Sequence, residues 1–302
     1  MSQGNRKPVN EEVLGLVYGL AAYGLWGLFP LYWKRLDMVP AIQILAHRIV
    51  WAFFFTLALC FILGRKKELA ALFHSPARLA AAFGAGLLIS VNWGIYIWAV
   101  NESHIIGTSL GYYLNPLLSA AMGAFVLHEK LDKGMIFAYL VAGLGIVVLT
   151  VSYGKLPWVA LSLALSFSFY GLIKKAAALD ALTGLTVETG AVFPFALTFL
   201  LFQQKAGNGA FGTIGVTGTV MLFLAGLVTA IPLLLYASGL KRLALSKMGF
   251  LQYISPTTQL LLGVFVFGEV VDLPQGIAFG CVVAALFVFG ITRRRSNTDS
   301  GQ

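Results

Sequence analysis

Apolar residues run through this chain in long blocks, at 11 to 34, 41 to 63, 78 to 100, 105 to 127, 134 to 152, 156 to 174, 182 to 203, 214 to 238, 246 to 267 and 273 to 292, each bounded by charged or turn-forming residues. A helix rises about 1.5 Å per residue, so roughly 20 apolar residues cross about 30 Å of hydrocarbon. The blocks match that length. They predict an all-α integral membrane protein with ten transmembrane helices.

Composition strengthens this reading. Of the 302 residues, 59% are hydrophobic and 11% charged, against about 25% charged in soluble domains. Lipid must be the solvent, and the segments between blocks leave no room for a soluble domain. Arg6 and Lys7 precede a long apolar block without a convincing cleavage site, so the first helix is predicted to be retained. Cys60 and Cys281 each lie in an apolar stretch and read as small packed residues, not as a disulfide or metal framework. No cofactor is implied. The net charge of +9 is scattered between the blocks, which argues against a nucleic-acid partner and for topology.

Basic residues are retained on the cytoplasmic side. With both termini inside, the inner segments hold Arg6, Lys7, Arg65, Lys66, Lys67, Arg78, Lys130, Lys133, Lys174, Lys175, Lys241, Arg242, Lys247 and Arg293 to Arg295. The outer loops hold only Lys34, Arg35, Lys155 and Lys205. A missed or extra helix would scramble this alternation.

The chain also repeats itself at a shift of 140 residues. Tyr113, Pro116, Gly123, Phe125, Val126 and Glu129 find partners in Tyr253, Pro256, Gly263, Phe265, Val266 and Glu269. Five helices per half is an odd number, so the second half enters from the opposite side, an arrangement that recurs in transporters. The predicted organisation is an N-terminal tail at 1–10, one repeat at 11–152, a second at 156–292 and a basic tail at 293–302, with both tails cytoplasmic.

Several polar features fall inside the blocks. Pro116 and Pro256 are predicted to kink their helices and free the carbonyls of Tyr112 and Gln252. Either the kinks serve packing alone or they face a central cavity lined by Tyr112, Tyr113, Asn115, Gln252, Tyr253 and Ser255. The third helix carries Asn92, Trp93, Tyr96 and Trp98, and the eighth carries Thr229, Pro232 and Tyr236. Aromatic rings with one polar edge suit an amphipathic ligand and can stack on a cation. They equally suit a membrane interface, the reading adopted for Trp33 and Trp158. His47, Arg48 and Glu188 lie about eight residues inside their spans, deep enough to serve a pathway or to pair, or else to snorkel. Arg48 and Glu188 are 140 apart and so are counterparts of opposite charge. Glu188 is the candidate proton carrier, with a static Arg48 partnership as the rival. The chain has no GxxxxGK[ST] loop and no HExxH motif, so energy for any transport would come from a gradient.

The blocks ILAHRIVW at 44 to 51, NWGIYIWAVN at 92 to 101, SLGYYLNPL at 109 to 117, LALSFSFYGLIKK at 163 to 175, TAIPLLLY at 229 to 236 and GFLQYISPT at 249 to 257 together resemble the RarD-type EamA transporters of the drug/metabolite transporter superfamily. The resemblance spans nearly the whole chain. It implies a multi-pass permease of the bacterial inner membrane with two EamA repeats and a central site. The expected function is export of a small amphipathic metabolite or drug-like molecule by alternating access, with protons as a coupling partner. A passive channel is the alternative. A lipid-handling enzyme would need a catalytic set that His47, Glu188 and scattered serines do not assemble.

Overall fold

Helix starts are written locally in the sequence. In the computed structural model, which describes residues 10–101, 105–154, 158–268 and 271–299, the Asn10 side chain accepts a hydrogen bond from the Glu12 backbone N–H and starts α1 (Glu11–Trp33). A 3-10 turn at Lys34–Leu36 leads to α2 (Ala41–Ile62), entered through Pro40. Then follow α3 (Lys66–Phe73), α4 (Pro76–Asn101), α5 (Ile105–Phe125) and α6 (Lys133–Tyr153). Asp132 caps α6 by accepting from the Met135 N–H, and Gly154 ends it with φ 73°, a left-handed conformation that glycine adopts without strain. The second half comprises α7 (Trp158–Ala176), α8 (Ala181–Lys205), α9 (Gly215–Leu240), α10 (Leu245–Leu251), α11 (Ile254–Phe265) and α12 (Leu273–Asp299).

Helices occupy the predicted blocks. Six of them among the described residues, α1, α2, α4, α6, α8 and α9, are long and apolar enough to cross a membrane. Leu140, Leu144, Val147 and Val151 recur at helical spacing along α6 and are each exposed over more than half their surface. Such a stripe is stable only against lipid.

The segment between α2 and α4 holds the short helix α3, and one local expectation is corrected. The block from 246 to 267 is broken, not kinked: α10 ends before Gln252, and Pro256 is the third residue of α11. The first N–H groups of a helix have no intrahelical partner, so proline there removes nothing. The Gln252 carbonyl, expected to be free, accepts from the Ser255 N–H at 3.0 Å. Pro116 and Pro232 do lie inside α5 and α9.

Packing is reciprocal. Helix α2 packs on α8 and α9, α4 on α7 and α8, α1 on α9 and α11, α5 on α7 and α10, and α6 on α12. Two of these crossings are close enough to demand glycine. A methyl group at Gly86 would stand 2.3 Å from the Glu188 carbonyl oxygen, and one at Gly226 would stand 2.4 Å from the Trp51 carbonyl carbon. These glycines, 140 residues apart, bring α4 onto α8 and α9 onto α2.

One end of the bundle, here called the basic face, is tied by ion pairs. Asp180 accepts from Lys241 at 2.8 Å and lies 3.3 Å from Arg65, which also pairs with Glu68. Arg242 pairs with Glu11 and Lys247 with Glu12. Glu129 caps α10, accepting from the Leu245 and Ser246 N–H groups and the Ser246 hydroxyl. At the opposite end the Gln43 amide donates to the Asn208 carbonyl and accepts from the Ala210 N–H.

The two glycine crossings predict that Gly86→Ala and Gly226→Ala each destabilise by about 1–3 kcal/mol through overpacking against backbone. Gly84→Ala, which meets open space, should be neutral. Thermal unfolding in detergent checks this, and equal midpoints for all three would overturn it.

Asp180 predicts a pH effect. Burial raises its pKa, but donation from Lys241 and the Thr183 N–H, with the charges of Lys241 and Arg65, brings the carboxyl down to about 2 from its ordinary 3.8. A depressed carboxylate contributes stability that is complete above about pH 4 and lost as pH falls through about 2. Asp180→Asn keeps the cap and removes the charge. Its unfolding midpoint should therefore fall less than that of the unaltered chain between pH 5 and pH 2. Parallel pH curves would contradict the assignment.

Candidate functional site

Arg48 is the eighth residue of α2, about 12 Å along a helix that starts opposite the basic face. Its Nε donates to the Thr229 hydroxyl of α9 at 2.9 Å, and that hydroxyl donates onward to the Ala225 carbonyl at 2.7 Å. The guanidinium carbon lies 4.9 Å from the ring centroid of Trp33 on α1 and 4.7 Å from that of Trp93 on α4. No ion pair among the described residues includes Arg48. A charge within a membrane span costs at least about 2.5–3.5 kcal/mol. Each desolvated cation–π contact returns up to about 2 kcal/mol. Two indoles can therefore hold the arginine without a carboxylate.

The aromatic wall continues on α4 and α5. The rings of Tyr96 and Tyr112 meet edge to face, with centroids 6.0 Å apart, and both phenols lie near enough to Arg48 to interact with its charge. Tyr96 keeps 37% of its surface uncovered. Arg48, Trp33, Trp93 and Tyr112 are likewise only partly covered. These partly covered side chains, set around Arg48, are the candidate cleft.

Glu188 has a different setting. It is the eighth residue of α8, which starts at the basic face, so it approaches mid-bundle from the end opposite to that of Arg48. Its carboxylate accepts from Lys174 Nζ at 2.5 Å and from the Tyr170 hydroxyl at 3.0 Å, and all three side chains are buried. Tyr170 stacks on Tyr236, and Tyr23, Trp26 and Phe167 complete an aromatic cluster joining α1, α7 and α9. Lys174, not Arg48, is the partner of Glu188. Removing one member of such a buried pair leaves the other charge unpaired and costs about 3–5 kcal/mol.

The other sequence-selected residues divide between packing and cleft. Asn92 turns from Tyr96 toward α7, donating to the Leu163 carbonyl and the Ser166 hydroxyl. Asn115 accepts from the Ser168 hydroxyl at 2.7 Å, also joining α5 to α7. Tyr113 and Tyr253 pack with Met135, Tyr139 and Phe250, and the Tyr253 hydroxyl donates to the Tyr113 carbonyl at 3.4 Å. Ser255 accepts from Gln259, while the buried Gln252 side-chain oxygen has no hydrogen-bond partner. His47 stacks on Phe211 at 5.3 Å, away from Glu188. Of the residues selected from sequence, Trp93, Tyr96, Tyr112 and Arg48 share one place. The Trp98 side chain and Glu269 lie outside the described residues.

Four participating residues were not identified from sequence. Trp33, assigned above to the interface, stacks on Arg48 instead. Lys174 was counted among loop charges, yet its spacing of four from Tyr170 puts the two on one helix face, a signal that was available. Gly86 and Gly226 also obey the 140-residue shift but fall outside the strongest matching blocks.

Known proteins share this pattern. The sequence signature of the EamA-like transporter family matches the chain twice, at residues 13–151 and 156–291. The chain is 45% identical over 286 residues to "Uncharacterized transporter YojE" of Bacillus subtilis, covering 92% of this chain and 94% of that protein. It is 41% identical to "Protein RarD" of Streptomyces exfoliatus, covering 93% and 90%, and 37% identical to "Protein RarD" of Escherichia coli K12, covering 94% and 97%. A crystal structure described only as that of a protein superposes with a TM-score of 0.70 at 21% identity, over 93% of this chain and 98% of that one, which shows a shared fold. This chain therefore belongs to the EamA-like transporter family, with RarD proteins among its relatives.

Proposed function

We propose that the chain is a secondary transporter of the bacterial inner membrane that exports a small amphipathic organic molecule by alternating access. The observation that carries this reading is the cleft at Arg48, where Trp33, Trp93, Tyr96 and Tyr112 surround a charge that has no carboxylate partner among the described residues. A retained charge within a span serves a pathway more often than it serves stability.

In this reading the protein has ten spans: α1, α2, α4, α5 and α6 in one repeat, and α7, α8, α9, the α10–α11 pair and α12 in an inverted second repeat. Three observations support it. The family signature matches twice. A shift of 140 exchanges the α2–α9 contact with the α8–α4 contact and α1–α9 with α7–α4. Gly86 and Gly226 sit at the first two of these crossings. Exchange of conformation between inverted repeats would then alternate access between faces. The basic face is the cytoplasmic one, consistent with retention of Lys and Arg there. Its ion pairs and the aromatic cluster beside Glu188 form the inner barrier, and the Arg48 cleft belongs to the outer half. Coupling to protons would require Glu188 to leave Lys174 in one of the two states, since exchange needs a difference in affinity between them.

Orientation is tested with single cysteines in a chain lacking Cys60 and Cys281. Position 70 should resist an impermeant thiol reagent in intact cells, and position 207 should react. Labelling at position 70 from outside would invert the proposal.

Transport is tested by metabolite profiling of cells lacking or overproducing the chain. Overproduction should deplete at least one internal small molecule and enrich it outside. Trp93→Ala and Tyr96→Ala should each reduce that enrichment roughly tenfold, the scale of one lost aromatic contact, at unchanged protein level. Glu188→Gln should abolish accumulation against a gradient while sparing exchange. Unchanged profiles under deletion and overproduction would refute the transporter reading, and uphill transport by Glu188→Gln would refute the coupling role.

A further inference from the structure

We propose that Arg48 is the anchor for an acidic group of the substrate and that the cleft takes organic monocarboxylates with an apolar or aromatic body. This inference rests on the transporter reading of the same cleft and names its substrate class.

The chemistry follows from how Arg48 is held. Only its Nε–H is used by the protein among the described residues, on Thr229. The stacked indoles of Trp33 and Trp93 stabilise the guanidinium without using its remaining N–H bonds. Those bonds form a planar fork that matches the two oxygens of a carboxylate. The Thr229 hydroxyl, fixed in turn by the Ala225 carbonyl, sets the rotation of the fork. Tyr96 and Tyr112, hydrogen-bonded to each other, lie within electrostatic reach of the same charge, and the phenol O–H not engaged in that bond can donate to an anion.

The alternatives are chemically weaker. A cationic substrate would be repelled by Arg48 and would find the indoles already occupied by a cation. A dianion such as a phosphate monoester carries one charge more than Arg48 alone can cancel. A neutral molecule would leave the arginine unpaired when the cleft closes, and an unpaired buried charge is costly. A monoanion alone cancels the charge and uses the fork. The aromatic walls then select for an apolar body on the same molecule.

The test compares ligands that differ only in the head group. Phenylacetate, phenylacetamide and phenethylamine share one ring, as do indole-3-acetate, indole-3-acetamide and tryptamine. Binding to the purified full-length chain is read from ligand-dependent shifts of the thermal midpoint and from equilibrium binding of radiolabelled acid. The acids should bind roughly tenfold to a hundredfold more tightly than their amides, the range for a hydrogen-bonded charge, and the amines should bind more weakly than the amides. Arg48→Gln should erase the acid preference. Arg48→Lys keeps the charge but loses the fork, so it should retain the preference with weaker binding. If Arg48→Gln does not fold, Arg48→Lys and Thr229→Val carry the comparison, the latter also weakening the acids selectively.

Equal binding of acid and amide, failure of both acids to bind, or an acid preference that survives in Arg48→Gln would overturn the inference. Acid-selective binding in a chain that leaves cellular metabolite pools unchanged would refute transport while keeping the anion site. Transport of neutral or cationic molecules without acid preference would do the reverse.

Discussion

The constraint on which this structure depends is the absence of water around most of its helices. Backbone groups in hydrocarbon must pair within the helix, and side-chain charges must find partners inside the bundle or forgo burial. The protein satisfies that demand for its deep charges in two different ways. Glu188 receives a lysine and a tyrosine hydroxyl, which close the site electrically. Arg48 receives two indoles and a threonine, which stabilise the cation but do not neutralise it. The first arrangement cancels its charge, and the second leaves a cation.

Close helix approach makes both arrangements possible. Gly86 lets α4 touch the backbone of α8 at Glu188, and Gly226 lets α9 touch α2 at Trp51, one turn from Arg48. Small residues at helix crossings are a general means of association in lipid, where no hydrophobic effect drives apolar faces together. Here each glycine crossing also sits beside one of the two deep charges. The proposed duplication explains why the crossings recur. It also explains why the charges do not meet: inverted repeats place equivalent positions at equal depths from opposite faces, so Arg48 and Glu188 fall in different halves of the bundle.

The barrier at the basic face combines ionic and aromatic contacts. The pairs of Asp180, Glu11 and Glu12 join helix ends near water, where each contributes little and can break readily. The cluster around Tyr170 and Tyr236 lies deeper and excludes water by packing. A barrier built from weak outer pairs over a dry aromatic layer can be opened by moving helices without unfolding them. Lys174 and Glu188 join that layer through the Tyr170 hydroxyl.

Much of this was legible in the sequence because the signals are local or periodic. Blocks of about 20 apolar residues mark where helices lie, caps such as Asn10, Asp132 and Asp180 mark helix starts, and the matching blocks marked the family. The depth of Arg48 and Glu188 was also readable by counting residues from the helix ends. Their partners were not. Trp33 reads as an interfacial residue until its ring is found over Arg48, Lys174 reads as a loop charge until its amine is found on Glu188, and the Gln252 carbonyl reads as free until the chain turns to bring the Ser255 N–H to it. Sequence spacing determines which face of its own helix a residue occupies. Which side chain meets that face, even one only 3 to 15 residues away, depends on how the chain turns and how its helices are set against one another, and only the tertiary structure decides that.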